Sequence, residues 1–245
     1  MDRDGFVRRV DIRWDKVSDR DAYPFAIPAI RNVLGFVLHP SVTYFVGENG
    51  SGKSTLLEAL AVALGFNAEG GSANFRFATR SSESPLHEVL RLSRSARRPR
   101  TGFFLRAESF FNVGTHIEEL DREPGLGPPI IRSFGGTSLH EQSHGESFWA
   151  LFRHRFGPEG LYILDEPESA LSPRRQVEFL ARLNELVLAG SQFIIATHAP
   201  IVLAHPDALI YQVTQEGLER RKYDETECVQ VAFEFLYSKL RPTRT

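Results

Sequence analysis

The sequence predicts an α/β fold with a mostly parallel central sheet flanked by helices. The first indication is the β-branched and aromatic run VTYFV at 42–46, which passes through a glycine-rich loop into a helix with leucines at helical spacing. A second apolar run, LYILDEP at 161–167, ends in acids, and a third, QFIIAT at 192–197, follows a helix for which Ser172 is a good N-cap and Pro173 a good first residue. Strands that alternate with helices in this way favour a parallel sheet.

The remaining elements follow from the same patterns. Residues 6–14, FVRRVDIRW, alternate as an early strand of an N-terminal antiparallel β portion, and YPFAIPAI at 23–30 is an irregular crossing segment. The amphipathic stretch PLHEVLRLSR at 85–94 predicts a helix, and GFFLRAESFF at 102–111 predicts a strand. Further elements are expected as follows: a short helix near 115–121, a Gly/Pro-rich loop at 122–138, a helix from Ser147 with Phe148, Leu151, Phe152 and Phe156 on one face, a strand ALIYQV at 208–213, and a closing helix lined by Val229, Ala232, Phe233 and Leu236.

Composition excludes several classes of protein. The net charge of −2 gives no global positive field that would attract nucleic acid or an acidic membrane. The single cysteine, Cys228, cannot form an intramolecular disulfide, and no apolar run approaches the roughly 18 to 20 residues that span a bilayer. The N-terminal MDRDGFVRRVDIRW lacks the apolar core of a signal peptide. We therefore expect a cytoplasmic protein with no direct membrane insertion.

The glycine-rich loop GENGSGKST at 47–55 carries the main chemical signal. It fits the phosphate-binding pattern G-x-x-x-x-G-K-[ST] and lies between a predicted strand and a predicted helix, as that mechanism requires. Backbone N–H groups close around the phosphates, Lys53 reaches the β and γ groups, and the Ser54 hydroxyl holds Mg²⁺. The residues expected to bind the nucleotide are Asn49, Gly50, Ser51, Gly52, Lys53, Ser54 and Thr55.

Two later strand ends supply acids and a histidine. Asp165, at the tip of its strand, is expected to bind Mg²⁺ directly or through water, whereas Glu166 is placed to polarise the attacking water. His198 ends the next strand, where its side chain can lean over the same nucleotide.

The stretch HEQSHGESF at 140–148 supports two incompatible interpretations. Its first five residues match H-E-x-x-H, in which His140 and His144 would hold zinc and Glu141 would activate water. Shifted by three residues, the same stretch is a small turn that presents a helix N-terminus to a phosphate. The zinc interpretation requires a helix directly after a Gly-Gly turn, and no third ligand has the motif's spacing.

The order and spacing of 47–55, 143–147, 161–173 and 197–198 resemble those of the ATP-binding-cassette (ABC) ATPases. The resemblance implies a P-loop NTPase fold, catalytic roles for Glu166 and His198, and a signature segment containing Ser143, Gly145 and Glu146. In that family the signature of one subunit covers the γ-phosphate on another, so it also implies a head-to-tail homodimer with two ATP molecules. Two departures are a signature reading SHGES rather than LSGGQ, and Glu108 where a magnesium-binding glutamine is usual.

The resemblance also divides the chain. It implies one ABC-type domain over 1–245, with a nucleotide-binding core at 1–65 and 145–245. Residues from about 66 to 142 would form an inserted helical or arm subdomain with a core strand near 102–108.

The chain has a degenerate signature and no sustained coiled-coil heptads. In these two features it resembles standalone bacterial ATPases related to SMC and RecF heads. We expect an ATP-hydrolysing dimerisation switch that passes its motion to a protein partner, with DNA repair or maintenance as a candidate process. The alternatives are an ATP-sensing module with little turnover and a membrane-transporter subunit. The basic stretch Arg91–Arg100 is a candidate nucleic-acid contact, and Trp14 and Tyr23 are candidate adenine contacts.

Overall fold

The computed structural model describes residues 4–72, 84–106 and 144–240, together with four single positions between the last two ranges. In chain order the strands are β1 (Val7–Ile12), β2 (Gly35–Val37), β3 (Val42–Val46), β4 (Leu90–Arg94), β5 (Thr101–Arg106), β6 (Gly160–Asp165), β7 (Gln192–Ala196), β8 (Leu209–Thr214) and β9 (Gly217–Arg221). The helices are α1 (Pro28–Arg31), α2 (Lys53–Ala63), α3 (Leu86–Val89), α4 (His144–His154), α5 (Pro173–Leu188), α6 (Pro200–Leu203) and α7 (Glu227–Leu240).

Six strands form the central sheet in the order β5-β6-β7-β3-β8-β9. The first five run parallel, and only β9 pairs antiparallel with its neighbour. The carboxyl ends of β3, β6 and β7 therefore lie at one edge of the sheet, and the candidate residues that follow these strands are brought together there. The predicted mostly parallel sheet is confirmed.

A smaller antiparallel sheet, in the order β2-β1-β4, confirms the predicted N-terminal antiparallel portion. Its third strand corrects the helix that we predicted over 85–94. Only Leu86–Val89 is helical there, and Leu90–Arg94 pairs with β1. Leu90 and Leu92 also fit an alternating pattern, and pairing with β1 satisfies the backbone N–H and C=O groups of this segment.

The central sheet is covered on both faces, because successive side chains of a strand point to opposite sides. One face, including Phe45, Ile163 and Ile194, packs with α2 and the antiparallel sheet. The opposite face, including Tyr162 and Phe193, packs with α4 and α5. The result is a layered core in which the central parallel strands β3, β6 and β7 are buried at every position.

Aromatic rings fix α4 on the second face. The ring centroids of Phe152 and Phe179 lie 4.5 Å apart, and those of Phe156 and Tyr162 lie 4.2 Å apart in a stacked pair. Phe148 and Leu151 are buried beside them. The predicted apolar face of this helix is confirmed, although Phe156 follows the helix rather than belonging to it.

The closing helix α7 forms where we expected it but is less buried than its pattern predicted. Val229 packs partly against the second core, whereas Phe233 and Leu236 are 64% and 55% exposed. None of the helices that the structure describes is long and apolar enough to cross a membrane. The helix predicted near 115–121 and the loop at 122–138 lie, apart from single positions, outside the described residues.

A buried glutamine at the start of β7 joins the two sheets. The Gln192 Nε2 donates to the carbonyl oxygens of Val7, at 2.8 Å, and His39, at 2.9 Å, and its Oε1 accepts from the Val7 N–H at 3.0 Å. One side chain therefore satisfies three backbone groups where β1 passes the central sheet.

Replacing Gln192 with leucine should lower the free energy of unfolding by about 2 to 4 kcal/mol, because buried backbone groups lose their partners while the apolar volume is kept. Urea denaturation measures this change. Gln230→Leu, at an exposed position on α7, is the control and should change the stability by less than about 0.5 kcal/mol. Equal effects of the two substitutions would contradict a joining role for Gln192.

Candidate nucleotide site

The loop at 47–52, between β3 and α2, is called the phosphate loop below. Its backbone is turned as a phosphate-binding loop requires. Gly52, which precedes α2, has a φ of +101°, in the left-handed region that glycine adopts without strain. A Cβ on Gly47 would lie 2.8 Å from the carbonyl oxygen of Val213, so the chain passes too close to β8 for a side chain. These glycines turn the loop so that the N-terminus of α2 faces the cleft, where its free N–H groups favour an anion.

Lys53 closes the same loop from inside. It is 3% exposed, and its Nζ donates to the carbonyl oxygens of Gly47 and Glu48, each at 2.7 Å. Burial lowers the pKa of Lys53 from its ordinary value, against the attraction of neighbouring carboxylates led by Glu166 and Asp165. Because an ammonium has three N–H groups, two carbonyl contacts leave one donor for a ligand oxygen.

The structure brings Ser54 and Asp165 together from positions 111 residues apart. The Ser54 Oγ lies 3.1 Å from the Asp165 Oδ1, and Asp165 is buried at the end of β6. A hydroxyl and a carboxylate oxygen thus converge beside the phosphate loop, as their predicted common role requires.

Glu166 has an unusual backbone conformation. Its φ of +51° is rare for a residue with a side chain, and conformations of this kind cluster at functional sites. The Glu166 N–H donates to the Ala196 carbonyl at 2.9 Å, and its carbonyl accepts from the Ser169 N–H at 3.1 Å. These two bonds hold the strained turn in place, with the carboxylate partly exposed at the end of the sheet.

A third acid, Glu168, was not among the predicted site residues. It is 7% exposed, and its Oε1 accepts from the Thr197 hydroxyl at 2.7 Å and the His198 N–H at 2.8 Å. The His198 Nδ1 lies 3.4 Å from the same oxygen and 3.6 Å from the Glu166 Oε1. Glu168 therefore fixes the end of β7 and holds the His198 backbone beside Glu166.

Two clefts flank the phosphate loop. The larger, of about 540 Å³, is lined by residues of the loop together with Tyr23, Arg106, Asp165 and Glu166. The smaller, of about 390 Å³, lies between the loop and the strand ends at 212–215. The predicted phosphate contacts and acids therefore share one cleft.

Of the two candidate aromatic residues, only Tyr23 lines the larger cleft. It is 66% exposed, and its hydroxyl lies 3.3 Å from the Thr55 Oγ1. Trp14 instead donates to the Val33 carbonyl and packs edge-on against Phe25. Trp14 is thus occupied in the fold, whereas Tyr23 faces the site.

Sequence reasoning also missed Arg106, which enters the larger cleft from the end of β5. Its NH1 pairs with the Glu58 Oε2 on α2 at 2.7 Å. An arginine at the end of a strand has no motif that would single it out, and only the sheet order places it beside Asp165.

Part of the signature region lies within the described residues. Gly145 is the second residue of α4, and a Cβ there would lie 2.8 Å from the Ala170 carbonyl oxygen. This glycine thus lets α4 approach the turn after Glu166 in the same chain. Glu146 is exposed in the first helical turn. Ser143, His140, Glu141 and Glu108 lie outside the described residues, as does the side chain of His144.

No cluster of three or more His, Cys, Asp or Glu that could hold a metal occurs among the described residues. The zinc interpretation of 140–144 falls outside them.

Family models match two parts of the chain. Residues 30–100 match a model described as an AAA domain, and residues 135–204 match one described as "AAA domain, putative AbiEii toxin, Type IV TA system". The first match contains the phosphate loop, and the second contains the Asp165, Glu166 and His198 positions.

Two proteins with similar sequences are much longer than this chain. The Brefeldin A resistance protein of Schizosaccharomyces pombe is 28% identical over 188 residues, which cover 70% of this chain and 12% of that protein. The ABC transporter G family member STR2 of Medicago truncatula is 26% identical over 209 residues, which cover 79% of this chain and 27% of that protein. The chain thus spans about an eighth and about a quarter of their lengths.

The chain was also compared with solved structures. A chain from an inward-facing conformation of an ABC transporter superposes with a TM-score of 0.52 at 16% identity, covering 94% of this chain and 88% of that one. The SMC head domain from Thermotoga maritima gives a TM-score of 0.41 at 19% identity, covering 77% and 93%. The first of these similarities shows a shared architecture.

Glu168→Ala should lower the free energy of unfolding by about 2 to 3 kcal/mol, since the Thr197 hydroxyl and the His198 N–H lose a buried acceptor. Glu168→Gln keeps an acceptor oxygen at the same place, so its loss should be smaller by at least about 1 kcal/mol. Urea denaturation compares the two, with Glu185→Ala on the exposed face of α5 as the control. Equal losses for alanine and glutamine at 168 would show that the acceptor atom does not carry the effect.

Proposed function

We propose that this chain, an ABC-type P-loop ATPase, binds ATP with Mg²⁺ in the larger cleft and hydrolyses it, using the nucleotide to close two copies into a dimer. The observation that carries the proposal is the 3.1 Å approach of the Ser54 hydroxyl to the Asp165 carboxylate beside a buried Lys53. A nucleoside triphosphate with a divalent cation requires all three groups, namely a hydroxyl, a carboxylate and an ammonium. A glycine turn with a purely structural role requires none of them.

The residues present fit Mg²⁺. A hydroxyl and a carboxylate are the hard oxygen donors that this ion prefers, and Mg²⁺ is commonly held by one or two protein groups together with phosphates and water. Ser54 and Asp165 would hold the ion. When bound, it would neutralise charge on the β- and γ-phosphate oxygens.

The chain's own groups suit the steps of hydrolysis. Lys53 has one N–H available for a γ-phosphate oxygen, and the N-terminus of α2 adds backbone donors. We propose that Glu166 orients a water and takes its proton as the new bond to the γ-phosphorus forms and the bond to the leaving oxygen of ADP breaks. His198, held by Glu168 at the same edge, is proposed to contact the γ-phosphate from the side of β7. Tyr23 is proposed to contact the adenine at the open side of the cleft.

The dimer is proposed from the resemblance to ABC ATPases, in which the signature of one subunit covers the γ-phosphate on another. Gly145 lies against the turn that follows Glu166 in the same chain, so the start of α4 is fixed relative to the proposed base of its own subunit. We propose that Ser143, Gly145 and Glu146 approach the γ-phosphate bound by a second copy, in a symmetric two-fold pair. ATP would then act as part of the interface, and its hydrolysis would weaken that interface.

Glu166→Gln should lower the steady-state rate of phosphate release at least about 100-fold, because an amide cannot accept the proton of water. Nucleotide affinity should stay within a few-fold, since the phosphate contacts are retained. The matched control is Glu185→Gln on α5, which should turn over like the unsubstituted protein. Equal slow rates in the Glu166→Gln and unsubstituted proteins would remove the enzymatic claim and favour a nucleotide-sensing module.

Ser143→Arg should abolish ATP-driven dimerisation in the Glu166→Gln background, because a bulky cation would replace a small hydroxyl at the proposed interface. Light scattering with and without ATP measures the dimer. His140→Ala, three residues earlier, is the control and should leave dimerisation largely intact. Stoichiometric zinc that is lost in His140→Ala would instead support the metalloprotease interpretation of this segment.

A further inference from the structure

A third cleft lies at the opposite end of the sheet from the phosphate loop. It has a volume of about 360 Å³ and lies at the amino ends of β5 and β6, where Thr101 and Leu161 line it. Along β5 it is separated from Arg106 by five residues, or roughly 17 Å at 3.3 Å per residue. It is therefore distinct from the nucleotide site. Its floor is apolar and formed by Phe6, Val7, Phe66 and Leu161, all of which are buried.

The lining also includes five arginines and no acidic residue, and we call this the arginine cleft. The arginines are Arg94, Arg97, Arg98, Arg100 and Arg155. Only Arg100 has a carboxylate partner within the described part of the chain, the Glu159 Oε2 at 2.7 Å. The other four arginines, which line the same small volume, have no carboxylate partner among the described residues. Like charges brought together in this way repel each other unless an anion lies between them.

Carbonyl oxygens hold three of these side chains without neutralising them. Arg94 donates to the Ala63 carbonyl, Arg98 donates to the Ser95 carbonyl, and Arg97 donates to the carbonyls of Asp4 and Gly190. The Arg97 guanidinium also lies 4.6 Å from the centroid of the Phe6 ring. The positive charge is thus positioned by the fold and remains available.

Arg155 gives the strongest indication that this cleft binds an anion. It is half-buried directly after α4, and its side chain makes no hydrogen bond or ion pair with any residue that the structure describes. None of its nitrogens is among the buried polar atoms that lack a partner, so its N–H donors are open to an anion that enters the cleft. A carboxylate or phosphate would satisfy it through paired N–H donors.

We propose that the arginine cleft binds a small amphipathic anion, with a carboxylate or phosphate head held by Arg98 and Arg155 and an apolar body on the Phe6–Phe66 floor. Its volume falls within the range of sites for small ligands, about 300 to 1,000 Å³, which combine an apolar lining with a few convergent polar groups. A nucleic-acid strand would use the exposed arginines as an extended surface and would leave this floor empty.

Isothermal titration calorimetry tests the proposal with octyl phosphate, octanoate, inorganic phosphate and octylammonium as probes. One molecule of octyl phosphate or octanoate should bind per chain, inorganic phosphate should bind at least about tenfold more weakly, and octylammonium should not bind. The relative affinities of octyl phosphate and octanoate distinguish the two head groups. Arg155→Gln and Arg98→Gln should each weaken binding by about tenfold or more.

The control is Arg174→Gln, at an exposed position on α5, which should leave the affinity unchanged. ATP affinity should be the same in all three variants, which separates this site from the nucleotide site. Failure of both octyl phosphate and octanoate to bind would overturn the proposal, and so would an affinity in Arg155→Gln and Arg98→Gln equal to that of the unsubstituted protein. So would equal affinity for octyl phosphate and inorganic phosphate, since the floor would then contribute nothing. Binding of a single-stranded oligonucleotide that weakens in Arg98→Gln, with no binding of octyl phosphate, would assign the arginines to nucleic acid instead.

Discussion

The candidate nucleotide site depends on the register of three parallel strands around Ala196. This residue is paired with Phe45 of β3 on one side and with Asp165 of β6 on the other. Its carbonyl also accepts the Glu166 N–H, and the next residue, Thr197, donates its N–H to the Phe45 carbonyl. The end of β3, where the phosphate loop starts, and the end of β6, which carries Asp165, therefore lie at the same height along the strand direction. A shift of β6 by one residue would move Asp165 by about 3.3 Å and turn its side chain to the other face of the sheet.

The same convergence creates an electrostatic problem that the local structure addresses. Asp165, Glu166 and Glu168 surround a single buried cation, Lys53, at a place proposed to hold a polyanion. The Glu168 Oε1 accepts two hydrogen bonds from the end of β7, which stabilise its charge within the protein. The N-terminus of α2 contributes partial positive charge, and a divalent cation between phosphate and Asp165 would compensate the rest. The acids are thus divided between Glu168, which organises the end of β7, and Asp165 and Glu166, which line the larger cleft.

The parts of this site that the sequence predicted are those whose chemistry is local. The turn at 47–55 needs glycines at fixed offsets, and the acids at 165 and 166 follow an unbroken apolar strand, so both are visible without tertiary information. Glu168 could not be found in this way, because an acid in a turn after Pro167 has the pattern of a solvated residue. Its role depends on Thr197 and His198, which belong to another strand. The helix predicted over Leu90–Arg94 was wrong for the same kind of reason, since the strand conformation of this segment depends on pairing with β1, near the start of the chain.

Strands β5 and β6 connect the nucleotide cleft and the arginine cleft. They pair in unbroken register from Thr101 and Gly160 at one end to Arg106 and Asp165 at the other. Backbone hydrogen bonds join the two strands along this length, so a shift of both strands together is one route by which a ligand at one end would influence the other. Arg106 is tied to α2 through Glu58, which extends this unit to the helix that follows the phosphate loop. Any coupling between the clefts must then be reciprocal: an anion that alters ATP affinity would have its own affinity altered by the same factor.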